Sequence, residues 1–233
     1  NTDTDTDTHT NNYAKPWKSI KVPSHWQLQG HGQPIYTNIK YPFDTKDFPS
    51  PPRLGNESAF YRTTFELPSN WNNFHDADAD ADDDDDGKAI FLRFDGVDSF
   101  FYLWINGRMV GYHSNSASPC EFYINPYLQS TTTTTGRGRN RRRSKHQIVL
   151  LVIRWSSGSY LEDQDMWRLS GIYRDVSLLA FPKLSIYDFH WTTTTSSTTT
   201  TTTTQIHIDT LLRYWHHGHA HLSSTPAVTI LVA

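Results

Sequence analysis

An all-β sandwich is the fold class that the sequence predicts, and three observations carry it. Short runs rich in β-branched and aromatic residues recur between turn formers, an Asn106-Gly107 pair separates two of them, and no amphipathic stretch reaches three helical turns. In chain order, strands are expected over residues 60–67, 89–94 and 99–105. Asn106-Gly107 then turns the third of these back into 108–112, because a two-residue hairpin turn needs φ > 0 at positions where Asn and Gly tolerate it. Residues 147–155 and 171–179 complete the set. The 8 Trp, 12 Tyr and 12 Phe suit a sandwich interior, so aromatics along these strands read as core rather than as sugar platforms. After Phe181-Pro182 the pattern restarts at 184–191, 205–214 and 228–232, which reads as the opening of a second β domain.

Composition narrows the function classes. A net charge of −3 provides no general attraction to nucleic acid or to a membrane surface, so neither is expected as a partner. No run approaches the eighteen or so apolar residues of a membrane span, and the polar start lacks an apolar leader. The single cysteine, Cys120, excludes an internal disulfide and has no neighbour at metal-site spacing, which points to a reduced intracellular compartment. Without an initiator Met, and stopping inside the strand-like run 228–233, the chain reads as a fragment of something longer.

Three low-complexity tracts, at 75–87, 130–146 and 192–204, interrupt the strands. Each is too polar to offset its ordering entropy by burial, so disorder is expected in all three. The basic tract with Arg137, Arg139, Arg141, Arg142 and Arg143 lacks interleaved aromatics, so it reads as a solvated insertion rather than a nucleic-acid site. The acidic tract lacks the glycine and ligand spacing of a calcium loop. His216, His217, His219 and His221 read as surface residues, since no carboxylate partner or fixed geometry marks a metal site.

Two segments stand apart chemically. Between the apolar runs 148–155 and 171–179, Glu162, Asp163 and Asp165 crowd together beside Trp167 and Arg168. Carboxylates this close repel unless a cation, an arginine or a polar ligand compensates, so the loop either binds something or is a solvated loop that keeps a sheet edge soluble. The segment from Val22 to Phe43 is dense in turn formers with little periodicity. It is either a packed connection plugged by Trp26, Tyr36 and Tyr41 or a binding surface. Within it Asn38, flanked by aromatics, offers the donor and acceptor pair that suits a sugar hydroxyl.

The run from Val22 to Phe43, the run Phe94-Asp-Gly-Val-Asp-Ser-Phe-Phe-Tyr-Leu-Trp-Ile-Asn-Gly-Arg-Met-Val-Gly-Tyr112, and the stretch from Arg154 to Leu179 together resemble one family. They resemble the N-terminal, galactose-binding-domain-like jelly-roll β-sandwich of the large β-galactosidases of glycoside hydrolase family 2. Most specific are Asp163-Gln-Asp-Met-Trp-Arg168 and Gly171-Ile-Tyr-Arg174. The resemblance implies a polar tract over 1–19, a jelly-roll sugar-binding domain over 20–182 lacking its first strand or strands, and a truncated immunoglobulin-like β-sandwich over 183–233. It implies a cytoplasmic, homotetrameric enzyme that hydrolyses terminal β-D-galactosides such as lactose with retention. Both catalytic glutamates, and the residues for Mg²⁺, would lie in a barrel outside this chain, so no catalytic residue is expected here and the fragment alone should be inactive. It further implies that Asn38 and Asp165 bind substrate and that Asp165 ligates Na⁺, with Asp163 and then Glu162 as the next candidates. The competing expectation is a non-catalytic carbohydrate-binding or scaffolding β-sandwich module.

Overall fold

The computed structural model describes residues 17–71, 88–128, 144–182, 184–197, 202–216, 219–224 and 228–232. Eleven strands build the first unit: β1 (Ile35–Thr37), β2 (Ser58–Glu66), β3 (Lys88–Phe94), β4 (Val97–Asp98), β5 (Phe100–Ile105), β6 (Arg108–His113), β7 (Cys120–Tyr123), β8 (Lys145–Ile153), β9 (Met166–Arg168), β10 (Gly171–Ile172) and β11 (Val176–Pro182). Among the described residues the helical elements are short 3-10 turns, such as Gln27–Gln29 and Ser157–Tyr160. None is long and apolar enough to cross a membrane.

Strand alternation makes the sandwich. In β5, Phe101, Leu103 and Ile105 are fully buried while Phe100, Tyr102 and Trp104 between them are partly exposed, the period of two that a half-buried strand requires. β5 lies in an antiparallel sheet of order β2-β8-β5-β6, and β3 lies in a second of order β11-β3-β7. Ile90, Leu92 and Phe94 of β3 meet the inward residues of β5 and β8 in one apolar cluster. The Phe94 and Phe101 rings, 4.9 Å apart, join the sheets at its centre. Burying each such ring contributes about 1.5–3 kcal/mol.

The hairpin between β5 and β6 turns where expected. Asn106 takes φ 50° and Gly107 φ 79°. The Asn106 side chain also locks the turn to its neighbours: its amide donates to Tyr127 O at 2.8 Å, and its Oδ1 accepts the Gln147 N–H at 2.9 Å.

Several expectations are corrected. The run 171–179 is two strands, not one: Gly171–Ile172 pairs with β4, and Val176–Pro182 pairs with β3. The chain changes partner across residues 173–175, while Gly171, which opens β10, takes φ 122° where a Cβ would lie 2.8 Å from the Tyr61 hydroxyl. The insertion placed at 130–146 ends earlier, because Lys145 and His146 already belong to β8 and His146 is buried. The Asp-rich tract at 75–87 and the Arg-rich part of the second insertion lie outside the described residues, as does the polar tract up to residue 16.

The restart beyond Phe181 forms β12 (Leu184–Ser197), β13 (Thr202–His216), β14 (His219–Ser224) and β15 (Val228–Val232). They make one antiparallel sheet in which β13 pairs with the other three. The expectation that 192–204 is disordered is overturned at its described residues, since Thr192–Ser197 pair with Thr202–His207 in a continuous register; residues 198–201 lie outside the described residues. Threonine is polar yet β-branched, and its preference for extended backbone continues a hairpin already nucleated by 184–191. The Arg213 guanidinium sits over Phe91, Phe181 and Tyr187, at 5.5, 5.4 and 4.6 Å from the ring centroids.

Candidate functional site

The two segments that stood apart in the sequence are brought together as a two-stranded ribbon. β1 pairs antiparallel with β9, setting Ile35 opposite Arg168, Tyr36 opposite Trp167 and Thr37 opposite Met166. Asn38 directly follows β1 and Asp165 directly precedes β9, so both lie at the same end of the ribbon. Because side chains alternate along a strand, Tyr36 and Trp167 share one face of the ribbon, while Ile35, Thr37, Met166 and Arg168 share the other. Asp165 joins the first face through its bond to the Tyr36 hydroxyl, and Asn38 lies next to that face at the end of β1. The first face is open: Tyr36 and Trp167 are exposed, as are Asn38 and Asp165 at its end. The second faces inward, and Arg168 is 5% exposed.

The three carboxylates of the acidic loop have three different fates. Glu162 accepts from the Ser116 backbone N–H at 2.9 Å and from the Ser116 hydroxyl at 2.5 Å, which pins it to the segment after β6. Asp163 is paired with the buried Arg168 guanidinium. Asp165 meets only a neutral donor, the Tyr36 hydroxyl at 2.5 Å, and no cationic side chain among the described residues. The Asp165 carboxylate in turn raises the Tyr36 phenol above its usual pKa, first through that hydrogen bond and then through its charge. Mutual repulsion is thus relieved at Glu162 by a backbone amide and hydroxyl and at Asp163 by an arginine, leaving the Asp165 charge uncompensated and outward-facing.

Asn38 uses its side-chain oxygen locally, accepting the Ile39 N–H at 2.8 Å. This leaves the two donors of the exposed amide NH₂ for other partners. Trp167 and Tyr36 stand beside it as a tilted ring pair with centroids 5.6 Å apart.

The packed-connection reading of the segment from Val22 to Phe43 holds at Trp26 and Tyr41. Trp26 is buried in the core, and its N–H bonds Ser170 O at 3.0 Å. Tyr41 packs edge-on against Tyr160, its hydroxyl donating to Tyr160 O at 3.1 Å. Phe43 and Phe48 meet the same Tyr160 ring at 5.3 and 4.9 Å, so the turn that precedes the acidic loop rests on an aromatic floor. Tyr36, expected among the plugs, instead faces outward beside Asp165. Its role was legible only as an aromatic near Asn38, because the distance of 129 residues between Tyr36 and Asp165 hides the pairing from any local pattern.

Behind the loop lies a fourth carboxyl group, that of Asp98. The Asp98 carboxyl takes side-chain hydrogen bonds from Ser170 and Ser116 and is pushed up to about 6, first by desolvation, with the Glu162 charge adding to it. Ser116 thereby touches both carboxylates. Tyr173, stacked on His25 at 5.1 Å, donates to Ser116 O at 2.7 Å and closes this cluster.

Among the described residues no three His, Cys, Asp or Glu side chains converge to hold a metal. His219 and His221 lie on β14, and His217 falls outside the described residues.

The chain is similar to proteins described as β-galactosidases. It is 43% identical over 177 residues to one from Psychromonas ingrahamii and 44% identical over 177 residues to one from Yersinia enterocolitica. These alignments cover 76% and 75% of the chain, but the chain spans only 14% of either relative's length. In fold it is similar to a β-glucuronidase from Bacteroides uniformis, with a TM-score of 0.56, 19% identity and coverage of 93% of this chain and 23% of that one. A β-glycosidase from Bacteroides vulgatus gives a TM-score of 0.54, 19% identity and coverage of 93% and 25%. Residues 5–182 match the model described as "Glycosyl hydrolases family 2, sugar binding domain", and the chain therefore belongs to glycosyl hydrolase family 2.

Proposed function

We propose that this chain is the substrate-positioning N-terminal part of a β-galactosidase that removes terminal β-D-galactose, as in lactose, with retention of configuration. The observation that carries the reading is that the β1–β9 pairing brings the exposed Asn38 and Asp165, two residues far apart in sequence, to the same end of one ribbon. Asn38 donates its free amide NH₂ to a sugar hydroxyl oxygen. Asp165 provides carboxylate oxygen to a Na⁺ ion, and Tyr36 orients that carboxylate through its hydroxyl. A hard monovalent cation suits an exposed carboxylate that has no other cationic partner. Since this chain contributes one such ligand, the rest of the coordination comes from other parts of a longer polypeptide. When bound, Na⁺ supplies a positive charge that accepts a lone pair from a substrate hydroxyl. Asp163 is not the ligand in this reading, because its charge is already taken by Arg168.

Retaining hydrolysis needs two carboxyl groups about 5 Å apart flanking the glycosidic bond. This chain contributes neither in our reading. The chain by itself should leave a chromogenic β-galactoside intact, whereas a longer polypeptide containing it should hydrolyse it. In that longer protein, Asp165→Asn keeps the shape while removing the charge. It should lower kcat/KM about ten- to a hundredfold and move the Na⁺ requirement to higher concentration at constant ionic strength. Superimposable Na⁺ curves for Asp165→Asn and the parent would refute the assignment, and a shift confined to Asp163→Asn would move the ligand to that residue. Galactoside binding without hydrolysis in the longer protein would favour a non-catalytic carbohydrate-binding module.

A further inference from the structure

The inward face of the ribbon carries a feature that the proposed chemistry does not use. Arg168 is almost wholly buried, yet its guanidinium reaches both halves of the site: Nε donates to Thr37 Oγ1 at 3.2 Å, and Nη2 donates to Gln164 O at 2.8 Å and to the Asp163 carboxylate. Thr37 is the neighbour of Asn38, and Gln164 is the neighbour of Asp165. The arginine is itself held. Its backbone oxygen accepts from Arg154 Nη2 at 3.1 Å, and the same nitrogen reaches Gln33 O at 3.0 Å. Arg154, 2% exposed, also pairs with Glu57 at 2.7 Å. Two buried guanidinium groups and two carboxylates thus tie Gln33–Thr37 to Asp163–Arg168 from beneath.

We propose that Arg168 is a positioning residue that holds Asn38 and Asp165 in mutual register from the buried side of the β1–β9 ribbon, so that the two act on one sugar as a unit. The ribbon is only three residue pairs long, which is too short to hold its own register. A planar guanidinium whose donors diverge at fixed angles supplies that missing constraint, and a lysine, with a single point charge, cannot span both segments. The function of Asp163 follows: it neutralises the clamp and does not touch substrate.

This inference rests on the site reading above, and the test separates the two. In the full-length protein, kcat, KM and the half-saturating Na⁺ concentration are measured for Asn38→Ala, Asp165→Asn, Arg168→Lys, Thr37→Val and the double variant Arg168→Lys/Asn38→Ala. Thr37→Val removes one clamp contact while preserving shape, so it remains informative even where Arg168→Lys fails to fold. Arg168→Lys should lose about tenfold or more in kcat/KM and raise the Na⁺ requirement, and Thr37→Val should lose about threefold or more. In the double variant, the loss caused by Asn38→Ala should shrink to about threefold or less, because groups that act as a unit are not additive. Losses that multiply independently would overturn the clamp, as would values within twofold of the parent for both Thr37→Val and Arg168→Lys. If Asn38→Ala and Asp165→Asn are themselves silent, the site reading falls and the clamp with it. If those two are impaired while the clamp variants are not, the clamp alone falls.

Discussion

Replacing Asp98 by asparagine should stabilise this protein at neutral pH and change little near pH 4. The carboxyl lies at the end of β4 among Ser116, Ser170 and Glu162, and its pKa is pushed up to about 6 from an ordinary 3.8, chiefly by desolvation. A carboxyl whose folded pKa lies above its unfolded one binds its proton more tightly when folded. Below about 3.8 it is protonated in both states and makes its full contribution; as the pH rises through 6, that contribution is lost. A gap of about two pKa units corresponds to about 3 kcal/mol, and the partial exposure of the residue as a whole brings the expected gain to about 1–3 kcal/mol. Asparagine keeps the oxygen that accepts from Ser116 and Ser170 and removes the charge that repels Glu162. Urea denaturation of parent and variant at half-unit steps from pH 4 to pH 8 reads the difference directly. It should grow from about zero to its full value by pH 7 and then level off. A difference that stays constant across this range would refute the reasoning, because a uniform offset reports packing rather than titration.

Three further outcomes follow from the sandwich itself. Phe94→Ala removes a ring that touches Phe101 and Phe122 at the centre of the core, and should lower the unfolding free energy in urea by about 3–5 kcal/mol. Asn125→Ala deprives the Ile90 N–H of its acceptor at 2.7 Å and Lys88 O of its donor at 2.7 Å, at an expected cost of about 1–3 kcal/mol and with lost amide-exchange protection at Ile90. His146 is held below its ordinary pKa by burial beside Asn106. Its contribution is present above about pH 6.5 and is lost as the pH falls, so a His146→Gln variant should show a shallower loss of stability between pH 7 and pH 5.

The fold class, the strands of the sandwich and the hairpin turn were all legible in the chain, because each depends on local periodicity or on the backbone freedom of one residue pair. Alternation at Phe101, Leu103 and Ile105 specifies which face is buried, and Asn106-Gly107 specifies where the strand reverses. The strands that were missed, β1, β4, β7 and β9, are two to four residues long, and so short a stretch carries no measurable period. The threonine tract failed for the opposite reason. Its polarity signalled disorder, while β-branched geometry and an adjoining hairpin made its described residues, 192–197 and 202–204, strand.

Asn38 and the acidic loop could be singled out from residue type and from the family they resemble. Residue type alone could not divide the roles of Glu162, Asp163 and Asp165, since three carboxylates within four positions are chemically alike in an extended chain. Tertiary structure separates them by what it places opposite each: the Ser116 amide and hydroxyl, the Arg168 guanidinium, and the Tyr36 hydroxyl. Two of those partners come from distant parts of the chain, and the third, Arg168, is buried where it meets Thr37 of β1 and Arg154. The local sequence thus determined which segments carry the chemistry. The antiparallel register between residues some 130 positions apart decided which carboxylate is left facing outward, because charge compensation depends on distance in space and that distance is set only when the chain has folded.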